Sequence, residues 1–388
     1  MRLLPILAAG CFVSSMSMRL TDPVVPDIAR DLSVPVTTAA LLASAYSFPY
    51  ALGQPLLGAL GDALGKAKII KITLAVMALC IAALAVAPTI DVMFAARIIG
   101  GAAGGGVIPL AFALVGDRFD IAERQVALSR VLMAIIGGQM AGTLGSGVIA
   151  SAYGWRVSMV AGTVLAVAAL IITLWQLHPR ANAERPPLRL SSMMSGYAQV
   201  FANPRAAVCF TAVFLEGIII FGLFPYVAAL LEERGSGGLK EAGFVLAGFA
   251  LGGLAYTALV RLMLSRLGLY NLIRAGGIVS GLGLALLSQS VPWLVELMVF
   301  FIIGIGFYMI HNSLQTEATE LAPGNRASAV SAHAFFFFLG QAAGPLAYAA
   351  GLLNAGAPVT LLVAAAAMAL TGLGTAAGLK ARMRSKAT

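Results

Sequence analysis

The chain has 388 residues, of which 60% are hydrophobic and only 11% are charged, and its formal net charge is +9. A soluble globular protein carries roughly 25% charged residues, so this composition excludes that class and indicates a polytopic helical membrane protein. We expect no nucleic-acid partner, because the positive charges lie between apolar segments and thus set the membrane topology.

Apolar segments long enough to cross a bilayer recur along the whole chain. A transmembrane helix needs about 20 apolar residues. The first candidate starts at Leu3 and lacks a small-residue cleavage site, so we expect a retained helix and not a signal peptide. The sequence predicts twelve spans, at residues 3–24, 36–58, 69–88, 91–115, 126–151, 156–177, 206–230, 240–264, 269–290, 293–315, 328–352 and 356–379.

The Lys and Arg residues concentrate on one predicted side of the membrane. Because basic loops stay inside, we expect both termini and the polar linker at residues 179–205 to be cytoplasmic. The linker separates an N-terminal bundle, residues 1–178, from a C-terminal bundle, residues 206–388, with six predicted helices in each. The compact loops favour a bacterial inner membrane protein, and we expect a monomer in contact with the lipid bilayer.

A short cationic turn is predicted between the second and third spans, at residues 58–68. Its glycines, Gly58 and Gly65 among them, let two helix ends approach closely. Asp62 is suited to accept hydrogen bonds from the N-terminus of a neighbouring helix. Lys66 and Lys68 are expected to face anionic headgroups.

An internal repeat relates the fifth span to the eleventh. The run from Gly138 to Gly142 recurs from Gly340 to Gly344, at an offset of 202 residues, and Pro345 follows the second copy. The two copies lie an even number of spans apart, so the halves are predicted to be parallel repeats. Glycines four residues apart on a helix indicate close helix packing.

These motifs resemble those of the major facilitator superfamily over essentially the whole chain. The 58–68 turn carries the family's Gly, its Asp four residues later, and then Gly with basic residues, although Ala63 stands where an arginine is usual. Arg97, followed by Gly101 and Gly105, resembles the pattern of the fourth helix. The antiporter pattern of the fifth helix is altered, because Thr143 replaces its proline.

Among subfamilies, the chain resembles the twelve-helix drug:proton antiporters and sugar-efflux permeases. The resemblance implies an all-α membrane protein with the major-facilitator fold, built as two parallel six-helix repeats. The sequence contains no Walker-type loop, no His/Cys metal pattern and no large soluble domain. We therefore expect no enzymatic activity, no cofactor and no metal site.

Glu216 is the clearest candidate for proton coupling. It lies near the middle of the seventh span, where an unpaired charge costs on the order of 2.5–3.5 kcal/mol. An acid in this position is typical of a reversible proton carrier. The alternative is a structural glutamate that is hydrogen-bonded between helices.

Asp22 and Arg97 form a second candidate pair at similar predicted depth in the N-terminal half. The resemblance implies a role in proton coupling for both. Two alternatives stay open. Arg19, three residues before Asp22, is placed to pair with it on the helix surface, and Arg97 is equally suited to lock backbone carbonyl groups.

Polar residues near the end of the tenth span are candidates for a substrate cavity. His311, Asn312 and Gln315 lie close together, and His333 falls at comparable depth on the next helix. Because histidine titrates near neutral pH, either histidine is suited to relay protons or bind substrate. Neutral packing histidines are the alternative. Further cavity candidates are Gln54, Tyr50 and Phe221.

The sequence thus predicts a secondary active transporter that exports a small organic molecule by alternating access and proton coupling. In this scheme the residues of the 58–68 turn latch the cytoplasmic side, with Asp62 docking near Arg326. The first helix has no acid between Val13 and Ser17, which argues against a specialist for cationic drugs. The alternative function is an uncoupled facilitator or importer of the same fold.

Overall fold

The computed structural model describes residues 3–178 and 190–384, without the side chains of residues 59, 62, 121, 122, 125, 190–193, 383 and 384. Within these residues every regular element is a helix. The chain divides into two compact units. One comprises Met1–Leu188 and Gly238–Gly243, and the other Arg189–Gly237 and Phe244–Thr388.

The first unit is a set of apolar helices joined by short turns. Three of its membrane spans are assembled from consecutive pieces, α1 with α2, α5 with α6, and α7 with α8. The elements are α1 (Leu3–Arg19), a 3-10 turn (Asp22–Val24), α2 (Val25–Asp31), α3 (Val36–Leu64), α4 (Lys66–Ala85), α5 (Ile90–Gly104), α6 (Val107–Arg118), α7 (Ile121–Met140), a π-helical turn (Ala141–Gly145), α8 (Ser146–Tyr153) and α9 (Trp155–Gln176).

The second unit begins with a helix inside the predicted linker, whose residues 179–189 lie outside the described part of the chain. Residues 190–202 of this linker form a helix. The elements are α10 (Leu190–Ala202), α11 (Pro204–Glu216), a π-helical turn (Gly217–Phe221), a 3-10 turn (Phe224–Tyr226), α12 (Val227–Glu233), α13 (Leu239–Leu287), α14 (Trp293–Thr319), a 3-10 turn (Pro323–Asn325) and α15 (Arg326–Arg384).

These helices account for the twelve predicted spans. Nine stretches of the described residues are long and apolar enough to cross a membrane. Two of them, α13 and α15, hold two predicted spans each, because Gly268 (φ 69°) and Gly356 (φ 75°) turn the backbone inside them. Glycine adopts such positive φ values freely. The 29-residue α3 supplies the remaining span, so the all-α membrane fold is confirmed.

The predicted turn at residues 58–68 is mostly helical. Helix α3 continues through Gly58 to Leu64 and α4 begins at Lys66, so the chain reverses at Gly65 alone, with φ 100°. The Lys66 Nζ atom lies 2.7 Å from Oδ2 of Asp117, near the end of α6. The side chain of Asp62 lies outside the described part of the structure, so its docking stays a prediction.

The internal repeat reappears in how helices pack within each unit. In the first unit, a Cβ atom built on Gly138 would lie 2.2 Å from the carbonyl oxygen of Phe12. In the second, one built on Gly340 would lie 2.1 Å from the carbonyl oxygen of Phe214, 202 residues after Phe12. Because no side chain fits at either position, α7 packs on α1, and α15 on α11, backbone to backbone.

One helical turn further along, the same contact recurs. Gly142 lies against the carbonyl oxygen of Met16, and Gly344 against that of Ile218, again at an offset of 202 residues. The carbonyl group of Pro345 accepts a hydrogen bond from the Tyr226 hydroxyl at 2.8 Å. The 3-10 turns at residues 22–24 and 224–226 obey the same offset. The two units therefore repeat the helix geometry as well as the amino-acid sequence.

Candidate functional site

Glu216 ends α11 and is completely buried inside the second unit. Its Oε1 atom is hydrogen-bonded to Nδ1 of His311 on α14. Its Oε2 atom has no hydrogen-bond partner among the described residues. A π-helical turn, Gly217–Phe221, follows at once, and such turns often mark functional positions in helices. The acid therefore sits where the helix departs from regular geometry.

The packing of α15 on α11 brings a second histidine to this place. Gly217 and Gly340 let the two helices touch. As a result, the ring of His333 lies 5.1 Å from that of His311, centroid to centroid. His333 is buried, and its Nε2 atom has no hydrogen-bond partner among the described residues. We call Glu216, His311 and His333 the carboxyl–imidazole cluster.

Aromatic rings hold His311 in its position. Phe307 stacks on the imidazole at a centroid distance of 5.0 Å, and Phe337 lies at 4.5 Å. The side chain of His311 is 13% exposed, whereas that of Glu216 is 0% exposed. Within this pair, the His311 side chain is thus the partly exposed one, and the Glu216 carboxyl group is enclosed.

This arrangement can hold one shared proton with no net charge, and release of that proton leaves the pair with a single negative charge. In the pair, either an ionised carboxylate faces a protonated imidazole, or a carboxylic acid faces a neutral one. Both forms are neutral overall and keep the hydrogen bond between Glu216 and His311. The two groups therefore exchange protons with their surroundings as a unit.

Two ion pairs fix the position of α14 along its own axis relative to α11 and to the end of α12. Arg205 Nη1 lies 2.8 Å from Oε2 of Glu317, and Arg234 Nη1 lies 2.9 Å from Oε1 of Glu296. The 21 residues between the two acids span about 31 Å, close to the hydrocarbon thickness of about 30 Å. His311 lies six residues from Glu317, so the cluster lies about 9 Å inside that end.

In the first unit, Arg97 is a lock on backbone carbonyl groups. The buried guanidinium donates to the carbonyl oxygens of Ser17 (2.6 Å), Met18 (3.1 Å) and Leu42 (3.0 Å). Its carbon lies 4.2 Å from the ring centroid of Tyr46. The guanidinium thereby satisfies the carbonyl groups at the end of α1, which a helix leaves without partners.

Asp22 pairs with Arg19 and not with Arg97. Arg19 Nη1 lies 3.5 Å from Oδ2 of Asp22, and both side chains are buried. No hydrogen bond joins Asp22 to Arg97 among the described residues, because the carbonyl groups of α1 and α3 occupy the guanidinium. The direct pairing expected from the sequence is therefore replaced by the two alternatives. A coupling role for either residue stays a prediction.

The other predicted cavity residues lie in different environments. Tyr50 is fully buried, Gln54 and Asn312 are half-buried, and Gln315 is exposed. Phe221 is buried at centroid distances of 4.8 to 5.5 Å from its aromatic neighbours, so it packs and presents no open surface. Those neighbours are Phe224, Phe249, Phe307 and Phe337.

Sequence reasoning missed the bond between Glu216 and His311. It treated the two as separate candidates on the seventh and tenth spans. It also missed the partners of Glu296 and Glu317. The available signal was that α14 carries polar residues in an otherwise apolar span. Within the described residues, no group of three or more His, Cys, Asp or Glu is placed to hold a metal ion.

A family model described as Major Facilitator Superfamily matches residues 7–345. The chain belongs to the major facilitator superfamily. The resemblance in the motifs is thereby confirmed. As a member of this family, the protein is a multi-pass membrane transporter of a small-molecule substrate and is not an enzyme.

Several curated members of the superfamily are similar in sequence. The chain is 31% identical over 167 residues to a triacylglyceride transporter of Mycolicibacterium hassiacum, a match to 42% of this chain and 31% of that relative. It is 24% identical over 245 residues to the uncharacterized transporter YwfA of Bacillus subtilis, a match to 62% of this chain and 58% of that relative. These two matches therefore span less than two thirds of each relative. Multidrug resistance protein 2 of Bacillus subtilis is 22% identical over 346 residues, covering 88% and 86%.

Solved structures of the superfamily's fold superpose on the whole chain. The nucleoside transporter NupG has a TM-score of 0.77 at 17% identity and covers 98% of this chain and 100% of its own. A POT family transporter in complex with 5-aminolevulinic acid has a TM-score of 0.78 at 12% identity and covers 95% and 94%. At such low identity, these likenesses establish the fold alone.

Proposed function

We propose that this protein is a proton-coupled exporter of small organic molecules, and that Glu216 and His311 together hold the coupling proton. One observation carries the proposal: a fully buried carboxyl group is bonded to a histidine that is itself partly exposed. An ionisable residue inside a membrane span is costly, so a protein retains one mainly where the charge has a use.

The geometry favours a route for the proton through His311. Glu216 is enclosed by helix packing, and His311 lies between it and the accessible face of α14. A proton that arrives at the imidazole passes to the carboxyl group along the existing hydrogen bond. The buried imidazole of His333 lies next to this path and offers a further nitrogen atom.

Export is the direction that the relatives support. Two full-length relatives of Bacillus subtilis are named multidrug resistance proteins 1 and 2. The triacylglyceride transporter, a relative of narrower name, matches 42% of this chain. We propose a monomer in an inner membrane with both termini in the cytoplasm. The distribution of Lys and Arg residues supports the position of the termini.

In the proposed alternating-access cycle, the 58–68 segment controls which state is populated. The single-residue turn at Gly65 and the contact between Lys66 and Asp117 support a stiff connection there. Asp62 is the proposed docking residue of this latch. The segment would then set the turnover rate and leave substrate affinity nearly unchanged.

The test compares transport with and without a proton gradient. A thermal-shift screen of small organic molecules at two pH values selects a compound that stabilises the purified protein. Uptake of that compound into inside-out vesicles is then measured with the lumen acidified. We expect gradient-driven uptake by the wild type, and none after an uncoupler is added or after Glu216→Gln.

Counterflow of the same compound separates coupling from binding. Glu216→Gln should keep exchange of labelled for unlabelled compound, because exchange needs no net proton movement. The matched control is Glu320→Gln, which alters an exposed acid paired with Arg326 at 3.3 Å. Wild-type transport that survives the uncoupler would instead support the facilitator or importer.

A further inference from the structure

The surface of the second unit carries a long groove away from the carboxyl–imidazole cluster. It consists of two adjoining hollows of about 530 and 430 Å³, which lie along α11 and share Ala207, Thr211 and Arg382. The first hollow continues along the last part of α15. The second is flanked by rings of Phe201 and Phe336.

Small residues open this groove. Its floor includes Ala207, Ala212, Ala367 and Gly374, and a Cβ atom added to Gly374 would meet nothing within 4 Å. Leu370 and Leu215 contribute apolar walls. The groove is therefore an open cleft along α11 and the last part of α15. Its lining is suited to a flexible hydrocarbon chain.

The polar end of the groove is positively charged. Arg382 lines both hollows, and it is the one charged residue among those that line them. Basic pockets between transmembrane helices, at the level of the membrane surface, are typical binding sites for anionic lipid headgroups. We propose that this groove binds an anionic phospholipid, with the headgroup phosphate at Arg382 and one acyl chain lying between α11 and α15.

The length of the groove matches one leaflet of a bilayer. From Ala367 to Arg382 the helix advances 15 residues, or about 22 Å. A bilayer is about 40–45 Å thick with its headgroups, so one leaflet measures about 20–22 Å. A phospholipid whose phosphate contacts Arg382 would thus place the end of its chain near Ala367.

The bound lipid would support the helix that carries Glu216 without touching the acid. Thr211 and Leu215 lie on the groove side of α11, whereas Glu216 is fully buried. Lipid occupancy would hold α11 against α15 just before the π-helical turn. We therefore expect the lipid to raise the stability of the native protein, since a ligand that binds only the folded state stabilises it.

The experiment measures the melting temperature of the full-length protein in nanodiscs of dioleoylphosphatidylcholine, with and without dioleoylphosphatidylglycerol. We expect phosphatidylglycerol to raise the melting temperature of the wild type. Arg382→Gln should lose more than half of this shift. The matched control is Arg266→Gln, which removes an exposed cation that does not line the groove and should keep the shift.

A second pair of variants fills the groove and keeps its charge. Ala207→Phe should abolish the shift, whereas Leu373→Phe, on an exposed face of α15 that does not line the groove, should preserve it. Sodium phosphate without the anionic lipid should have no effect on the wild type. If it reproduces the shift, a free anion site replaces the lipid site.

Two further results would overturn the proposal. One is the same wild-type melting temperature with and without phosphatidylglycerol, which would show that the headgroup charge is not recognised. The other is a dimer in phosphatidylcholine nanodiscs that Ala207→Phe dissociates, which would show that a second copy of the chain covers the groove. Because every readout is stability or association, the result does not depend on whether transport is coupled to protons.

Discussion

The imidazole of His311 and the carboxyl group of Glu216 form a hydrogen bond between α14 and the last residue of α11, and the histidine is the partly exposed member of the pair. Because the bond joins the two side chains directly, their substitutions should not act independently.

His311→Gln should reduce gradient-driven transport strongly, because glutamine keeps a hydrogen bond to Glu216 but carries no proton. Counterflow exchange should persist. The double variant with Glu216→Gln should be no worse than Glu216→Gln alone. Transport rates of the four proteins in vesicles provide the measurement. Additive losses would contradict the shared proton.

Arg97→Lys should destabilise the first unit. The lysine keeps the charge but cannot reach three carbonyl oxygens at once, as the guanidinium does. Hydrogen bonds to charged groups contribute about 1.5–3 kcal/mol each, so we expect a loss of about 2 kcal/mol or more. Thermal melting of the purified protein measures this. Normal melting together with lost coupling would instead favour a direct role in proton transfer.

Gly340→Ala should impair folding, because the added Cβ would lie 2.1 Å from the carbonyl oxygen of Phe214 and α15 would have to move. Gly138→Ala should behave alike for the equivalent contact with Phe12. Gly145→Ala is the matched control, since its Cβ would meet nothing within 4 Å. The expression yield and melting temperature of the three variants test whether the two contact glycines are less tolerant of a side chain than Gly145. Equal tolerance at all three positions would refute close backbone packing.

Glu296→Gln should be costly, because it leaves the guanidinium of Arg234 without its carboxylate, and the two side chains are only 10% and 4% exposed. Removing one partner of a buried pair costs about 3–5 kcal/mol. Glu320→Gln breaks a pair with exposures of 61% and 52% and should cost at most about 1 kcal/mol. Urea or thermal denaturation in detergent compares them, and similar losses would argue against the clamp on α14.

The sequence predicted the spans well because hydrophobicity and length are local properties. It predicted turns less well. Residues 58–64 were expected in a loop, yet they are helical, since in this environment only Gly65 needs a positive φ. Glu216 and His311, which the sequence offered as separate candidates, are hydrogen-bonded to each other although 95 positions separate them. One sequence holds no signal for their contact, which depends on how α11 and α14 pack.

Arg97 illustrates the same limit from the other side. Its position inside a span indicated a buried cation, with either Asp22 or backbone carbonyl groups as its partner. In the structure, the guanidinium donates its hydrogen bonds to carbonyl groups of α1 and α3. Backbone acceptors occur at every residue, so a side-chain pattern cannot reveal which of them a guanidinium will bind.

The repeated glycine contacts also allow the two units to be compared position by position. At offsets of 202 or 203 residues, Asp22, Tyr46 and Arg97 correspond to Phe224, Phe249 and Phe300, so an ionic cluster in one unit is an aromatic cluster in the other. Glu216 and His333 correspond in turn to Ser14 and Val131. A tandem duplicate of the N-terminal half would therefore inherit the helix contacts and two buried arginines, but it would contain no carboxyl–imidazole cluster.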